Sequence, residues 1–372
     1  MSGMKIAITG GHPAPALAVI EEARADKQFK DIKFLFIGRR YNNERESTDS
    51  YEYKEATRLG ITFENLRTGR LTRIVSPRTA KSMALIPKGM FDAYHILKRH
   101  KPDRVLSFGG YIALPVAYAA RALGIPVYTH EQTIHPGIAS RLIAKVAKRI
   151  LVSFPESAPF FPTDKTVVTG NPVRRNVFEI NIKPFALPKD VPVLYVTGGS
   201  LGSHSVNVHI EALLPRLVEQ YGVIHQIGNV KEYDDYETML AARRKLPEAL
   251  RERYIPVEHL TSEEIGYVYA NSSMVIGRSG ANTVFELLML EKPSVLIPLP
   301  WSAHDEQRRQ ARVLEQAGVA EVFEQDGPSE ELFSKIRKVM GKLESYRAGV
   351  SSLRGMIPPR SAHHVLEIIT EE

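Results

Sequence analysis

The 372 residues include no cysteine, which excludes disulfides and thiolate metal sites and fits a reducing compartment. No apolar run reaches the roughly 20 residues that cross a bilayer. Metal motifs are missing as well: there is no H-E-x-x-H and no pair of aspartates spaced D-x-D, so no resident cofactor or divalent ion is expected. The G-x-G-x-x-G and G-K-[ST] patterns are absent, which removes the dinucleotide fingerprint and the P-loop. Low-complexity tracts and short-period repeats are not seen. A strand-like run, Lys5 to Thr9, begins so early that no signal peptide is expected.

What remains is an ordinary globular composition, 43% apolar and 24% charged. The length suits two domains, each able to bury a core. A formal charge of +7 is compatible with nucleic acid, an anionic membrane or phosphorylated substrates, and its distribution has to decide.

Short buried strands alternate with helical segments from the start, at Ile6–Thr9, Ile32–Ile37, Val105–Phe108, Val127–Thr129 and Ile150–Val152. A second series runs through Val193–Thr197, Val223–Ile227, Met274–Ile276 and Ser294–Ile297. This predicts an α/β chain of two doubly wound parallel sheets. The expected division is an N-terminal domain over 1–179, a proline-punctuated linker over 180–191, a C-terminal domain over 192–357 and a last helix over 358–372 that can pack back on the N-terminal domain.

In such sheets ligands bind beyond the carboxyl ends of the strands. The run from Val275 to Glu286 passes from an apolar strand through Gly277-Arg278-Ser279-Gly280 into a helix at Ala281, Asn282, Thr283, Val284 and Phe285. A helix start of this kind is an anion site, with Arg278 beside it and Glu286 about one and a half turns in, within reach of a ribose. Three other glycine-rich turns follow strands: Thr9-Gly10-Gly11-His12, Phe108-Gly109-Gly110-Tyr111 and Gly198-Gly199-Ser200-Leu201-Gly202. His12 can serve as a base. His130-Glu131-Gln132-Thr133 places two titratable groups at another strand end, Arg174 follows the turn at Gly170-Asn171-Pro172, and Gln307 and Gln310 lie one turn apart, spaced to hold sugar hydroxyls together.

Between Arg67 and Phe91, Arg70, Arg73, Arg78, Lys81 and Lys88 are interleaved with Ile74, Leu85 and other apolar residues. The mixture suits docking on an anionic membrane surface, or equally a helix with a core face. Nucleic acid is disfavoured, since stacking aromatics are scarce there.

In this order, the T-G-G-H loop at Thr9, G-G-Y at Gly109, H-E-Q at His130, G-N-P-V-R at Gly170, G-G-S at Gly198, R-S-G-A-x-T-V-x-E at Arg278 and Gln307 resemble the MurG family of glycosyltransferases over nearly the whole chain. The resemblance implies the GT-B architecture, two Rossmann-like domains facing a cleft. It also implies inverting transfer of N-acetylglucosamine from UDP-GlcNAc to the muramoyl C4 hydroxyl of lipid I (undecaprenyl-pyrophosphoryl-MurNAc-peptide), making lipid II at the cytoplasmic face of the membrane. By the same likeness His12 is the general base with Glu131 in support. Gly10, Gly11, His12, Gly109, Gly110 and Tyr111 meet the acceptor. The donor phosphates sit near Ser200, Arg278 and the helix from Ala281 to Phe285, the ribose on Glu286, and the sugar on Gln307 and Gln310, with Thr9 to Gly11, Thr133 and Arg174 closing on it. Thr133 stands where the family usually has asparagine, while Leu201 and Glu306 also depart from its pattern. Another acceptor, a UDP-GlcNAc 2-epimerase or a non-catalytic binding protein are the alternatives.

Overall fold

The computed structural model describes residues 3–41, 49–69, 84–199, 202–229, 232–354, 358 and 360–371. Its contacts divide the chain into two compact units, Met1–Arg174 with Ile357–Glu372, and Arg175–Met356.

The first unit is built on β1 (Lys5–Thr9), β2 (Lys33–Gly38), β3 (Thr62–Asn65), β4 (Arg104–Ser107), β5 (Val127–Glu131), β6 (Arg149–Val152) and β7 (Thr166–Val168), in the spatial order β3-β2-β1-β4-β5-β6-β7. Its helices are α1 (Pro13–Ala25), α2 (Tyr51–Arg58), α3 (Ile86–His100), α4 (Gly110–Ala122) and α5 (Ile138–Ala144). The second unit carries β8 (Val193–Thr197), β9 (Gly222–Gln226), β10 (Tyr254–Val257), β11 (Met274–Gly277), β12 (Ser294–Leu296) and β13 (Ala320–Val322), ordered β10-β9-β8-β11-β12-β13. Around it lie α6 (His204–Gln220), α7 (Asp235–Lys245), α8 (Ile265–Asn271), α9 (Ala281–Met289), α10 (Glu306–Gln316), α11 (Ser329–Met340) and α12 (Leu343–Arg354). The last helix, α13 (Ser361–Glu371), belongs to the first unit.

Successive side chains of a strand face opposite sides of its sheet, so a sheet covered on both faces needs apolar residues at every position. In the first unit Ile6, Ile8 and Leu106 pack with Val19 and Ile20 of α1, while Ala7, Leu35 and Val105 pack with Val116 and Ala120 of α4. Helix α13 completes the α1 side with Val365, Leu366 and Ile369, each at most 1% exposed. Burying aliphatic side chains of this size contributes about 1.5–3 kcal/mol apiece. The ion pairs from Arg360 to Glu22 and Asp26, at 3.0 and 3.3 Å, add little because the arginine is exposed.

The proline-punctuated segment expected as the linker over 180–191 lies within the second unit, as does residue 176 just before it. Asn176 Nδ2 donates to the Ser262 carbonyl at 2.7 Å, and the Tyr267 hydroxyl to the Phe185 carbonyl at 3.1 Å. The boundary between units therefore falls at Arg174 and Arg175, earlier than the change in sequence pattern at 180.

All strand pairs are parallel, and in each sheet the order reverses at one place, between β1 and β4 and between β8 and β11. There the register pairs Thr9 with Ser107 and Gly277 with Thr197. Each of the four glycine-rich turns follows one of these four strands.

Behind the second sheet His225 is fully buried on β9, with Nε2 3.0 Å from Asn207 Oδ1 and Nδ1 2.9 Å from the Tyr254 hydroxyl. Asn207 Oδ1 can only accept, so Nε2 carries the proton and Nδ1 accepts from Tyr254. Burial pushes the imidazole pKa down to about 3. With the folded value below the unfolded one, this group contributes stability that is present above about pH 6.5 and lost as pH falls toward the folded pKa. Between pH 6 and 4 the parent is expected to lose about 1.4 kcal/mol per pH unit more than His225→Gln, read from urea midpoints. Parallel slopes for the two proteins would show that His225 is not held neutral.

Candidate functional site

The first unit brings the two turns at its strand reversal into backbone contact. Gly11, at φ +138°, lies so close to Gly109 that a Cβ there would come within 2.6 Å of the Gly109 carbonyl oxygen. Gly110, at φ +77°, faces the Gly11 Cα, and only residues without a side chain allow the approach. Beneath the first turn the Glu52 carboxylate lies against Gly10 and accepts N–H groups of Arg39 and Gly11, while burial raises its pKa. The Arg39 guanidinium stands 5.8 Å above the Tyr111 ring, in the first turn of α4.

His12 is the exposed N-cap of α1, with Nδ1 3.1 Å from the Phe108 carbonyl oxygen. A carbonyl can only accept, so the bond places the proton of the neutral ring on Nδ1 and leaves the Nε2 lone pair available as a base. His130 is fully buried and committed to structure: Nε2 donates to the Gly170 carbonyl at 2.9 Å, Nδ1 accepts from Gln132, and burial lowers its pKa to about 4. Glu131 accepts the Thr133 amide and hydroxyl at 3.0 and 2.7 Å. Among the described residues no hydrogen bond joins Glu131 to His12. Thr9 is fully buried at the end of β1.

Arg174, expected to close on the donor, sits in a buried cluster of charged groups. It is 6% exposed, its Nη2 sits 2.8 Å from Glu55 Oε2, its Nε bonds Glu21 at 3.1 Å, and Tyr51 completes the cluster. Burial alone would lower its pKa, but bonds to Glu21 and the charges around it hold it above the ordinary value. The arginine fastens α1 to α2 and to the end of the first unit.

In the second unit Gly280 is the N-cap of α9 and offers no side chain to the first turn. The Val284 amide bonds the Gly280 carbonyl at 3.0 Å, so the helix starts there and the amides of Ala281, Asn282 and Thr283 precede its first intrahelical bond. The side chains of Val284 and Phe285 are fully buried and belong to the core.

Arg278 is 8% exposed and, among the described residues, bonds no carboxylate. Its Nη2 donates to Ser203, Ser205 and Gln325 at 2.7–2.9 Å, and its Nη1 to the carbonyls of Ile297 and Pro298 at 3.1 and 3.3 Å. Burial lowers its pKa to about 10, which still leaves it charged near neutrality. The cation therefore clamps the chain after β8, β12 and β13 and keeps its positive potential. The pair Ser203 and Ser205, two residues apart just after the glycines, was the available sequence signal for this clamp.

Glu286 accepts the Tyr269 hydroxyl at 2.8 Å. Gln307 Oε1 accepts the Leu299 amide at 3.1 Å, and the Ser279 hydroxyl binds the Gln307 carbonyl at 2.8 Å, which fastens the start of α10 to the turn before α9. Gln310 is fully buried beside Ala311 on α10, and neither its amide oxygen nor its amide nitrogen has a hydrogen-bond partner among the described residues. Ser200 and Leu201 lie outside the described residues, as do Arg70, Arg73, Ile74, Arg78 and Lys81. Leu85 and Lys88 are described and exposed at the start of α3.

Residues 8–152 match the glycosyltransferase family 28 N-terminal domain, and residues 193–352 the family 28 C-terminal domain. The chain is 34% identical, over 86% of its length and 84% of the relative's, to a Clostridium botulinum protein named UDP-N-acetylglucosamine--N-acetylmuramyl-(pentapeptide) pyrophosphoryl-undecaprenol N-acetylglucosamine transferase. A Desulfitobacterium hafniense protein of the same name is 31% identical over 97% of this chain and 96% of its own. Among solved structures, Acinetobacter baumannii MurG aligns over both whole chains with a TM-score of 0.69 at 22% identity. A UDP-GlcNAc 2-epimerase from Neisseria meningitidis bound to UDP-GlcNAc also reaches 0.69, at 13% identity over 99% of this chain and 100% of its own. At these identities the two structures establish the fold alone.

Replacing Arg278 by Met strips a donor from two carbonyls, two hydroxyls and an amide at once. The expected cost is about 2–4 kcal/mol of stability in the second unit, measured by denaturant unfolding. A loss within experimental error would show that the clamp is not structural.

Proposed function

The chain belongs to the MurG family of GT-B glycosyltransferases, and from that premise we propose how its residues carry N-acetylglucosamine from UDP-GlcNAc to the muramoyl C4 hydroxyl of lipid I to give lipid II. The observation that carries the reading is the His12–Phe108 bond, which leaves Nε2 as a proton acceptor. The acceptor oxygen attacks the anomeric carbon in line, the new C–O bond forms as the bond to UDP breaks, and the configuration inverts. His12 Nε2 takes the hydroxyl proton and the bonding electrons leave with UDP.

The leaving pyrophosphate gathers charge on the amides of Ala281, Asn282 and Thr283 in the positive field of α9 and Arg278. This assigns the phosphates to helix termini and a basic side chain, with no divalent ion. Glu286 takes the ribose, Gln307 the donor sugar, and the paired turns at Gly10–Gly11 and Gly109–Gly110 the acceptor pyrophosphate, beside Arg39 and Tyr111.

The acceptor's polyprenyl chain requires a membrane face. Leu85, Met90 and Phe91, 43%, 38% and 65% exposed beside Lys88, support docking through the start of α3, at the cytoplasmic side where UDP-GlcNAc is supplied. The equal fold likeness of an epimerase motivates one second reading, in which UDP-GlcNAc turns over without acceptor.

His12→Ala is expected to bind UDP-GlcNAc like the parent by calorimetry while its transfer to a short-chain lipid I analogue falls about 10²–10⁴-fold. Parental transfer by the variant would remove His12 as the base. Transfer is expected to survive EDTA, and donor turnover without acceptor would favour the epimerase. In co-sedimentation with vesicles containing anionic lipid, Phe91→Ser is expected to bind several-fold more weakly than the parent, with UDP-GlcNAc affinity unchanged. Equal partitioning would place the docking surface elsewhere.

A further inference from the structure

A carboxylate recognises a ribose diol well only if its rotamer is fixed beforehand, because a glutamate free in solvent gives up roughly 2 kcal/mol of rotamer entropy when it is ordered. Glu286 is ordered from behind by Tyr269, on the neighbouring helix α8. The phenol is 3% exposed, and burial together with the Glu286 charge raises its pKa well above the ordinary value, so the hydroxyl stays protonated and can donate to the carboxylate.

The placement of Tyr269 is itself fixed. Helix α8 lies against the 176–179 segment at Gly266, where a Cβ would collide with the carbonyl oxygens of Asn176 and Glu179. The edge of the Tyr269 ring meets Tyr195 of β8, with centroids 5.6 Å apart. The Tyr195 hydroxyl is engaged elsewhere, donating to Gln226, and Gln226 donates in turn to the Gly199 carbonyl in the glycine-rich turn.

We propose that Tyr269 is a positioning residue for donor recognition, orienting Glu286 toward the 2′,3′-diol of the nucleotide ribose and so setting the preference for ribo- over dideoxynucleotides. This rests on the assignment of Glu286 to the ribose.

The test compares binding of UDP and 2′,3′-dideoxyuridine diphosphate by calorimetry. Tyr269→Phe is expected to weaken UDP roughly tenfold, as loss of a hydrogen bond to a charged group does, and to leave the dideoxy nucleotide unchanged. The KM for UDP-GlcNAc should rise by about the same factor with kcat within about twofold of the parent. Tyr195→Phe should retain the discrimination. A parent that binds both nucleotides equally would refute the assignment of Glu286 to the ribose. A discriminating parent with an equally discriminating Tyr269→Phe would overturn the positioning role alone. If Tyr269→Phe does not fold, the comparison moves to the Glu286→Ala background, where no carboxylate is left to orient. Discrimination equal between Glu286→Ala and Tyr269→Phe/Glu286→Ala is then expected, and a further loss in the double variant would mean that Tyr269 meets the nucleotide directly, which overturns the proposal.

Discussion

A parallel strand cannot return to its neighbour through a tight turn; it must cross over through a helix. When the chain has built outward from β1 to β3 it restarts on the other side at β4, and the crossovers on the two sides cover opposite faces of the sheet. At the reversal the turns after β1 and β4 are left side by side, each opening a helix, α1 and α4. The second unit repeats the arrangement with β8 and β11, and with α6 and α9. The four glycine-rich turns of the two units are gathered at these places. The glycines are there because two backbones must meet, and the anion-binding character is there because helices begin there.

How far this was legible in the sequence follows from the same physics. Central strands such as Ile6–Thr9 and Val193–Thr197 are apolar on both faces and announce themselves. The edge strands β3, β7, β10 and β13 are covered on fewer sides and read as T-F-E-N, T-V-V, Y-I-P-V and A-E-V, which carry too little pattern to be found. The helix start at Ala281 and the turn that holds His12 were visible because each is local, a turn and its next few residues. That Arg174 and Gln310 are buried could not be read from their neighbours in sequence, because burial is decided by distant parts of the chain; Glu21 and Glu55, for instance, surround Arg174. Tyr269 and Glu52 gave no signal at all, since neither acts on a residue within its own turn or helix.

Fold alone leaves the chemistry open. A transferase and an epimerase superpose on this chain equally well, so the distinction rests on sequence relatedness and on individual atoms. The hydrogen bond from His12 to a backbone carbonyl specifies a tautomer, and a tautomer specifies which nitrogen can take a proton. Arg278 shows the complementary economy: a buried guanidinium bonded, among the described residues, to neutral oxygens holds three loops together and keeps its charge.

The first unit is discontinuous along the chain, with its last helix made only after the whole second unit. On a ribosome, the α1 face that Val365, Leu366 and Ile369 will cover stays bare while the intervening residues are synthesised, on the order of ten seconds or more at roughly 5–20 residues per second. The second unit, contiguous from Arg175 to Met356, can complete itself first. The first unit therefore lacks the helix that closes its α1 side until translation reaches α13.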